Sequence, residues 1–159
     1  MAEDAQVQLV LFELQGELYA VEAMRVQEIV LRGRETSIPR APGYVIGIMN
    51  LRGRVIPVVD LLRRFGLGDA GQSADQVVVV ELRGSQVGFV VDLVTEVLNV
   101  PLAKMEPPPE TVVEGPVRSV SAILQLGDRL ASVLDLDLAF APEEIAAEYQ
   151  LAPLAATQR

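Results

Sequence analysis

The sequence predicts a mainly β protein made of two similar lobes. Half of the 159 residues are hydrophobic while only 4% are aromatic, which favours a core of Val, Leu and Ile. Short apolar runs alternate with polar turns that contain glycine along most of the chain. The second half of the chain also repeats the first half in order, which indicates an internal duplication.

The first half begins with a predicted hairpin, residues 9–14 and 18–21, whose two apolar runs flank a polar turn. Residues 22–26 predict one helical turn, and residues 27–31 return to the alternation of a strand. The stretch around which the chain is organised is residues 47–62, GIMNLRGRVIPVVDLL.

Two apolar runs in that stretch flank a polar centre, so it predicts two strands joined by a tight turn at Gly53. Leu61–Phe65 follows as a short predicted helix that Gly66 and Gly68 end. Residues 69–75 (DAGQSAD) are small and polar and resemble a linker.

The second half predicts further strands and a helix. The strands are Gln76–Leu82, 86–91, 93–100, Val120–Leu126 and 130–136. Pro142 and two glutamates open a C-terminal helix over residues 142–151, since proline and acidic residues suit the first helical turn.

A shift of about 68 residues lays residues 77–82 on 9–14 and Glu96 on Glu28. A larger shift continues the match and pairs Asp60 with Asp135. We therefore expect one domain, 1–159, with lobe 1 at approximately 9–68 plus crossover segments, lobe 2 at approximately 76–140, and the C-terminal helix.

The duplication separates shared residues from residues that only one copy has. Asp60 and Asp135 are shared and predict capped turns or helix starts. Arg52 differs, because its counterpart is Gly127. Since the second copy folds without that arginine, Arg52 is predicted to serve function. Glu28 has two interpretations: a solvated strand residue, or the ion-pair partner of Arg52.

Composition excludes several classes of chemistry. The chain has no histidine and no cysteine, which removes imidazole bases, thiolate nucleophiles, disulfides and Cys/His zinc sites. The formal net charge is -9, which disfavours nucleic acid and anionic lipid as partners. We expect no cofactor and no enzymatic activity. No apolar run has the roughly 18 residues of a membrane span.

Two carboxylates leave one metal alternative open. Asp135 and Asp137 alternate with leucines, which is more typical of a strand end with one face in water than of a metal site. An apolar β protein of this kind usually works through its surface, and a groove between two lobes suits a partner's helix or strand.

The motifs of this chain resemble those of the CheW-type coupling proteins of bacterial chemotaxis. The resemblance covers residues 9–140. It is carried by the FEL…Y hairpin, VQEI from Val26, G-x-x-NLRG from Gly47 to Gly53, VIPVVDL, VGFVVD from Val87, V-x-E-V from Val94, and LGDRL.

The resemblance implies two intertwined, SH3-like, five-stranded β-barrels and a non-enzymatic scaffold in the cytoplasm, recruited to membrane receptor arrays. Its partners would be the regulatory domain of a CheA-type histidine kinase and the cytoplasmic tips of methyl-accepting receptors, without membrane insertion. The residues expected to serve partner binding are Val26, Glu28, Gly47, Asn50, Leu51, Arg52, Gly53, Val87, Gly88 and Val94.

Two alternatives to a coupling adaptor remain at this point. One is a degenerate paralogue, in a pathway unrelated to motility, that competes with or blocks array assembly. The other is a small β-barrel enzyme that uses carboxylates alone.

Overall fold

The computed structural model describes residues 5–71, 73–109 and 119–140. The predicted C-terminal helix over residues 142–151 lies outside them. The described strands are β1 (Gln6–Leu14), β2 (Glu17–Glu22), β3 (Val26–Leu31), β4 (Val45–Leu51), β5 (Arg54–Val59), β6 (Gln76–Leu82), β7 (Ser85–Val91), β8 (Leu93–Pro101), β9 (Met105–Glu106), β10 (Val120–Leu126) and β11 (Arg129–Leu134). The helices are α1 (Leu61–Phe65) and α2 (Leu136–Ala139), with 3₁₀ turns at Ala23–Arg25 and Leu102–Lys104.

The strands form two sheets. One has five strands in the order β3-β6-β7-β5-β4, and the other has six in the order β8-β1-β2-β11-β10-β9. The sixth strand, β9, continues β8 beyond the 3₁₀ turn and pairs with β10, so it closes that sheet. The mainly β fold with two sheet lobes and short helices is confirmed, although one sheet has six strands and not the expected five.

Each sheet combines strands from both halves of the sequence. Replacing β1, β2, β3, β4 and β5 by their counterparts β6, β7, β8, β10 and β11 converts the strand order of one sheet into that of the other. Both sheets also contain one parallel pair at equivalent places, β11 with β2 and β5 with β7. The duplication is therefore visible in the topology.

The strand β1 joins the two cores. Leu9 and Leu11 belong to the smaller apolar cluster inside the six-stranded sheet, whereas Val10 and Phe12 belong to the larger cluster. The Phe12 ring contacts Phe89 of the five-stranded sheet with 5.4 Å between centroids. Because alternate side chains of one strand serve the two clusters, the lobes pack against each other through a continuous apolar contact.

The predicted caps at Asp60 and Asp135 are confirmed. Asp60 Oδ1 accepts hydrogen bonds from the backbone N–H of Leu62 (2.9 Å) and Arg63 (3.2 Å) at the start of α1. Asp135 Oδ1 does the same for the N–H of Asp137 at the start of α2, at 3.0 Å. The expected strand end at 130–136 is wrong in its last part, because β11 stops at Leu134 and a capped helix follows.

The segment over residues 69–75 differs from the predicted linker. Ala70 and Ala74 are fully buried. Gln15 Nε2 donates to the Ala70 carbonyl (2.9 Å), and Arg32 Nη1 donates to the Ala74 carbonyl (2.7 Å). Side chains from distant parts of the sequence therefore hold Ala70 and Ala74 in place.

Candidate functional site: a charged hairpin tip and an apolar patch

The hairpin of β4 and β5 ends in a two-residue turn that exposes Arg52. Leu51 pairs with Arg54, and both turn residues have positive φ, 51° at Arg52 and 88° at Gly53. The Asn50 side-chain oxygen accepts the Gly53 N–H at 2.8 Å. Asn50, Leu51 and Gly53 thus build the turn, and Leu51 is buried and anchors it.

Arg52 is paired with Glu28 of β3. The Arg52 Nη2 group donates to both carboxylate oxygens of Glu28. This hydrogen bond lowers the pKa of Glu28, and the same carboxylate raises the pKa of Arg52. The pair therefore persists somewhat below the ordinary pKa of a glutamate and is lost as pH falls through the lowered value.

The two members of the pair differ in exposure. The Arg52 side chain is 67% exposed, whereas the Glu28 side chain is 23% exposed. An ion pair this open to water stabilises the fold little. That agrees with the glycine at the counterpart position, Gly127, and leaves the guanidinium accessible to a partner.

The ion pair lies where β3 and β4, the two edge strands of the five-stranded sheet, approach each other. We call this contact between the two edges the seam. Beyond β3, the backbone groups of Thr36 and Ile48 exchange two hydrogen bonds of 2.9 Å across the same seam. A Cβ atom on Gly47 would lie 2.4 Å from the Thr36 carbonyl oxygen. Gly47 is therefore a glycine because the two backbones approach closely there.

Gly47→Ala is expected to lower the free energy of unfolding by about 1–3 kcal/mol, because the added methyl group would overpack the seam. Chemical denaturation measures this loss. Gly43→Ala is the matched control, since nothing lies within 4 Å of a Cβ atom there. Equal stability of the two variants would contradict the packing role of Gly47.

Four of the ten residues expected at the interface are buried: Gly47, Leu51, Val87 and Gly88. A Cβ atom on Gly88 would lie 2.6 Å from Val77 Cγ1, so Gly88 allows the neighbouring strand to pack. Buried residues of this kind affect the surface through the packing beneath it. Val26, Glu28 and Val94 are half-buried, and Asn50, Arg52 and Gly53 are exposed.

An apolar patch lies on β3 and on β8, the edge strand of the six-stranded sheet. Ile29 and Leu31 of β3 are 41% and 75% exposed, and Val97 of β8 is 51% exposed. The Val94 N–H donates to the Gln76 side chain at 2.7 Å, and Gln76 pairs with Leu31 in the sheet. We call Ile29, Leu31, Val94 and Val97 the inter-lobe patch.

Strand register places this patch at the boundary between the lobes. Val97 pairs with Val10, and Val94 pairs with Phe12, which contacts the other sheet. Paired residues of antiparallel strands project to the same face. The sequence analysis named Val94 as a partner-binding residue but not Ile29, Leu31 and Val97. Their alternation along strands at the sheet edges is the sequence signal that points to them.

The metal alternative at Asp135 and Asp137 finds no support in their contacts. Asp135 caps α2, and Asp137 binds Arg25 at 2.8 Å, which lowers the pKa of Asp137 through a hydrogen bond. Arg25 also donates to the Glu81 carbonyl at 3.1 Å. In the described ranges, no group of three or more acidic side chains is arranged to hold a metal ion.

The fold and the site together define an interaction protein built from two interlocked β-sheets, with a charged hairpin tip and an apolar patch as its exposed features. Across the described part of the chain, no helix is long and apolar enough to cross a bilayer. The family model of the CheW-like domain matches residues 8–144. The chain therefore belongs to the CheW-like family, a family of chemotaxis scaffold proteins.

Relatives of known name agree with this membership. The chain is 33% identical to the chemotaxis protein CheW of Treponema pallidum over 147 residues, covering 89% of this chain and 86% of that protein. It is 31% identical to CheW of Klebsiella aerogenes, covering 87% and 84%. The scaffolding protein TtCheW of Thermoanaerobacter tengcongensis superposes with a TM-score of 0.77 at 36% identity, covering 86% and 88%.

Proposed function

We propose that this protein is a non-enzymatic adaptor that couples methyl-accepting chemotaxis receptors to a CheA-type histidine kinase. The observation that carries the proposal is the largely exposed Arg52, held by Glu28 at a hairpin tip whose other residues serve the turn. Family membership supplies the chemotaxis context. The protein would act in the cytoplasm and be recruited to receptor arrays at the membrane.

The Arg52 tip is proposed to face the regulatory domain of the kinase. The Arg52 guanidinium is largely exposed, so it can donate to a carboxylate of the partner. Arg54 follows on the same hairpin and also lowers the pKa of Glu28 by its charge. The tip is thus a small basic surface on an acidic protein, which favours specific orientation.

The inter-lobe patch is proposed to bind a helix of the receptor tip. Ile29, Leu31 and Val97 present branched apolar side chains along two edge strands, and an amphipathic helix buries such surface favourably. Each contact needs only micromolar affinity, about 8 kcal/mol, because an array joins many weak contacts.

The experiment that tests the proposal is a reconstituted kinase assay. Receptor-containing membranes, the CheA-type kinase and this protein are combined, and transfer of phosphate from ATP to the kinase is measured. We expect high kinase activity only when all three are present, and lower activity after attractant is added. Activity that never depends on this protein would contradict the proposal.

The same assay tests the alternative that this protein is a degenerate paralogue that competes with or blocks array assembly. If this protein lowers kinase activity when added to a complex already assembled with another adaptor, and never raises activity alone, it blocks assembly and does not couple. That result would replace the adaptor proposal.

Val97→Asp is expected to weaken binding to the receptor tip at least tenfold and to leave the fold intact, because half of the Val97 side chain already faces water. Val133→Asp is the contrasting variant, since Val133 is buried in the smaller core cluster and should unfold the protein. Binding to receptor-tip fragments and melting curves measure the two effects. Unchanged receptor binding in Val97→Asp would remove the patch from the interface.

A further inference from the structure

The strand that carries Glu28 contains one extra residue. Val26 pairs with Val80 and Glu28 pairs with Val79, so Gln27 has no partner in β6 and forms a β-bulge. A one-residue insertion moves every following side chain to the opposite face of the sheet. The bulge therefore places Glu28, and not Gln27, opposite Val79, in the position from which Glu28 binds Arg52.

The extra residue is held by a side chain two strands away. Gln86 of β7 donates from its Nε2 group to the Gln27 side-chain oxygen. The sheet order is β3-β6-β7, so this hydrogen bond crosses over β6. A bulge residue lacks ladder hydrogen bonds, and a side-chain bond of this kind fixes its position.

The other sheet provides an internal comparison. Between β1 and β8, Leu11 pairs with Glu96 and Phe12 pairs with Val94, so Thr95 is the extra residue at the equivalent place. Thr95 Oγ1 donates to the Leu11 carbonyl of the adjacent strand at 3.4 Å. Glu96 is exposed. The bulge thus belongs to the duplicated fold, whereas the glutamine pair occurs at the bulge next to the ion pair.

We propose that Gln27 and Gln86 are positioning residues that aim Glu28 at Arg52. Together they lock the bulge, set the direction of the Glu28 carboxylate and thereby hold the Arg52 guanidinium in the geometry that a partner meets. Their effect on partner binding rests on the proposed function. Their effect on the Glu28 carboxylate does not, and it can be measured on the protein alone.

The test is the titration of the Glu28 carboxyl carbon by NMR in the full chain. The variants are Gln86→Met and Gln27→Met, which keep side-chain length and remove the hydrogen bond. Arg52→Ala serves as the reference for a fully broken ion pair, and Thr95→Val as the control at the equivalent bulge. We expect both methionine variants to raise the pKa of Glu28 by at least half of the rise seen in Arg52→Ala, and Thr95→Val to leave it unchanged.

A Glu28 titration that is the same in the wild type and in both methionine variants would overturn the inference. A merely structural role for the two glutamines would lower stability without moving that titration. Binding to the kinase regulatory domain is measured in parallel and should weaken at least threefold in Gln86→Met. A shifted titration with unchanged binding supports the positioning role and counts against the Arg52 tip as the kinase surface.

Discussion

Asp60→Ala should have the largest effect of the alanine substitutions that we predict, with a loss of about 4 kcal/mol in the free energy of unfolding. The Asp60 side chain is 2% exposed. Besides the two α1 N–H groups, it accepts the Ala70 N–H at 2.9 Å, and it lies 3.4 Å from Arg63 Nε. Truncation to alanine would leave buried donors without an acceptor and would release the segment over residues 69–75.

Asp135→Ala is the matched control for this prediction. Asp135 caps α2 as Asp60 caps α1, but within the described residues its side chain accepts hydrogen bonds only from the N–H groups of Asp137 and Leu138. Its loss should therefore cost about 1 kcal/mol, the usual value for a helix cap. Denaturant unfolding of both variants measures the difference. Similar losses in the two would show that the bond to Ala70 contributes little.

Arg32→Ala should have the second largest effect, a loss of about 3 kcal/mol. Arg32 and Glu35 form an ion pair at 2.6 Å in which each side chain is 15% exposed. The guanidinium also donates to the carbonyls of Gly71 (3.1 Å) and Ala74 (2.7 Å). Without Arg32, a mostly buried Glu35 carboxylate and two carbonyl oxygens would lose their partner.

Arg34→Ala controls for the loss of one positive charge from the same loop. Arg34 is exposed, so its removal should change stability by less than about 0.5 kcal/mol. Denaturant midpoints and slopes give both values. If Arg32→Ala were as stable as Arg34→Ala, the segment over residues 69–75 would be held by Asp60 and Gln15 without help from Arg32.

Local features of the fold could be predicted from the sequence because near neighbours determine them. The α1 helix, its cap at Asp60 and its end at Gly66 depend on residues within one turn. The duplication was also visible, since the apolar runs recur in order. The prediction for residues 135–138 was wrong because the alternating leucines suggested a strand end, whereas Asp135 caps the start of a helix there.

Features that depend on distant contacts could not be predicted. No local pattern shows that β1 and β2 pair with strands from the other half of the chain. The anchoring of Ala70 and Ala74 depends on Gln15 and Arg32, which are remote in sequence. For the site, the asymmetry between Arg52 and Gly127 identified the exposed arginine, but only the strand register shows how Gln27 places Glu28 beside it.

The most direct test of the central claim is calorimetric titration of the CheA-type kinase regulatory domain with wild type, Arg52→Ala and Arg83→Ala. Arg83 occupies the same turn position in the β6–β7 hairpin, with a φ of 51°. We predict micromolar binding by the wild type and by Arg83→Ala. Arg52→Ala should bind at least tenfold more weakly, a change of about 1.4 kcal/mol, with an unchanged melting temperature. Wild-type affinity in Arg52→Ala, or a large drop in its melting temperature, would contradict the assignment of Arg52 to partner binding.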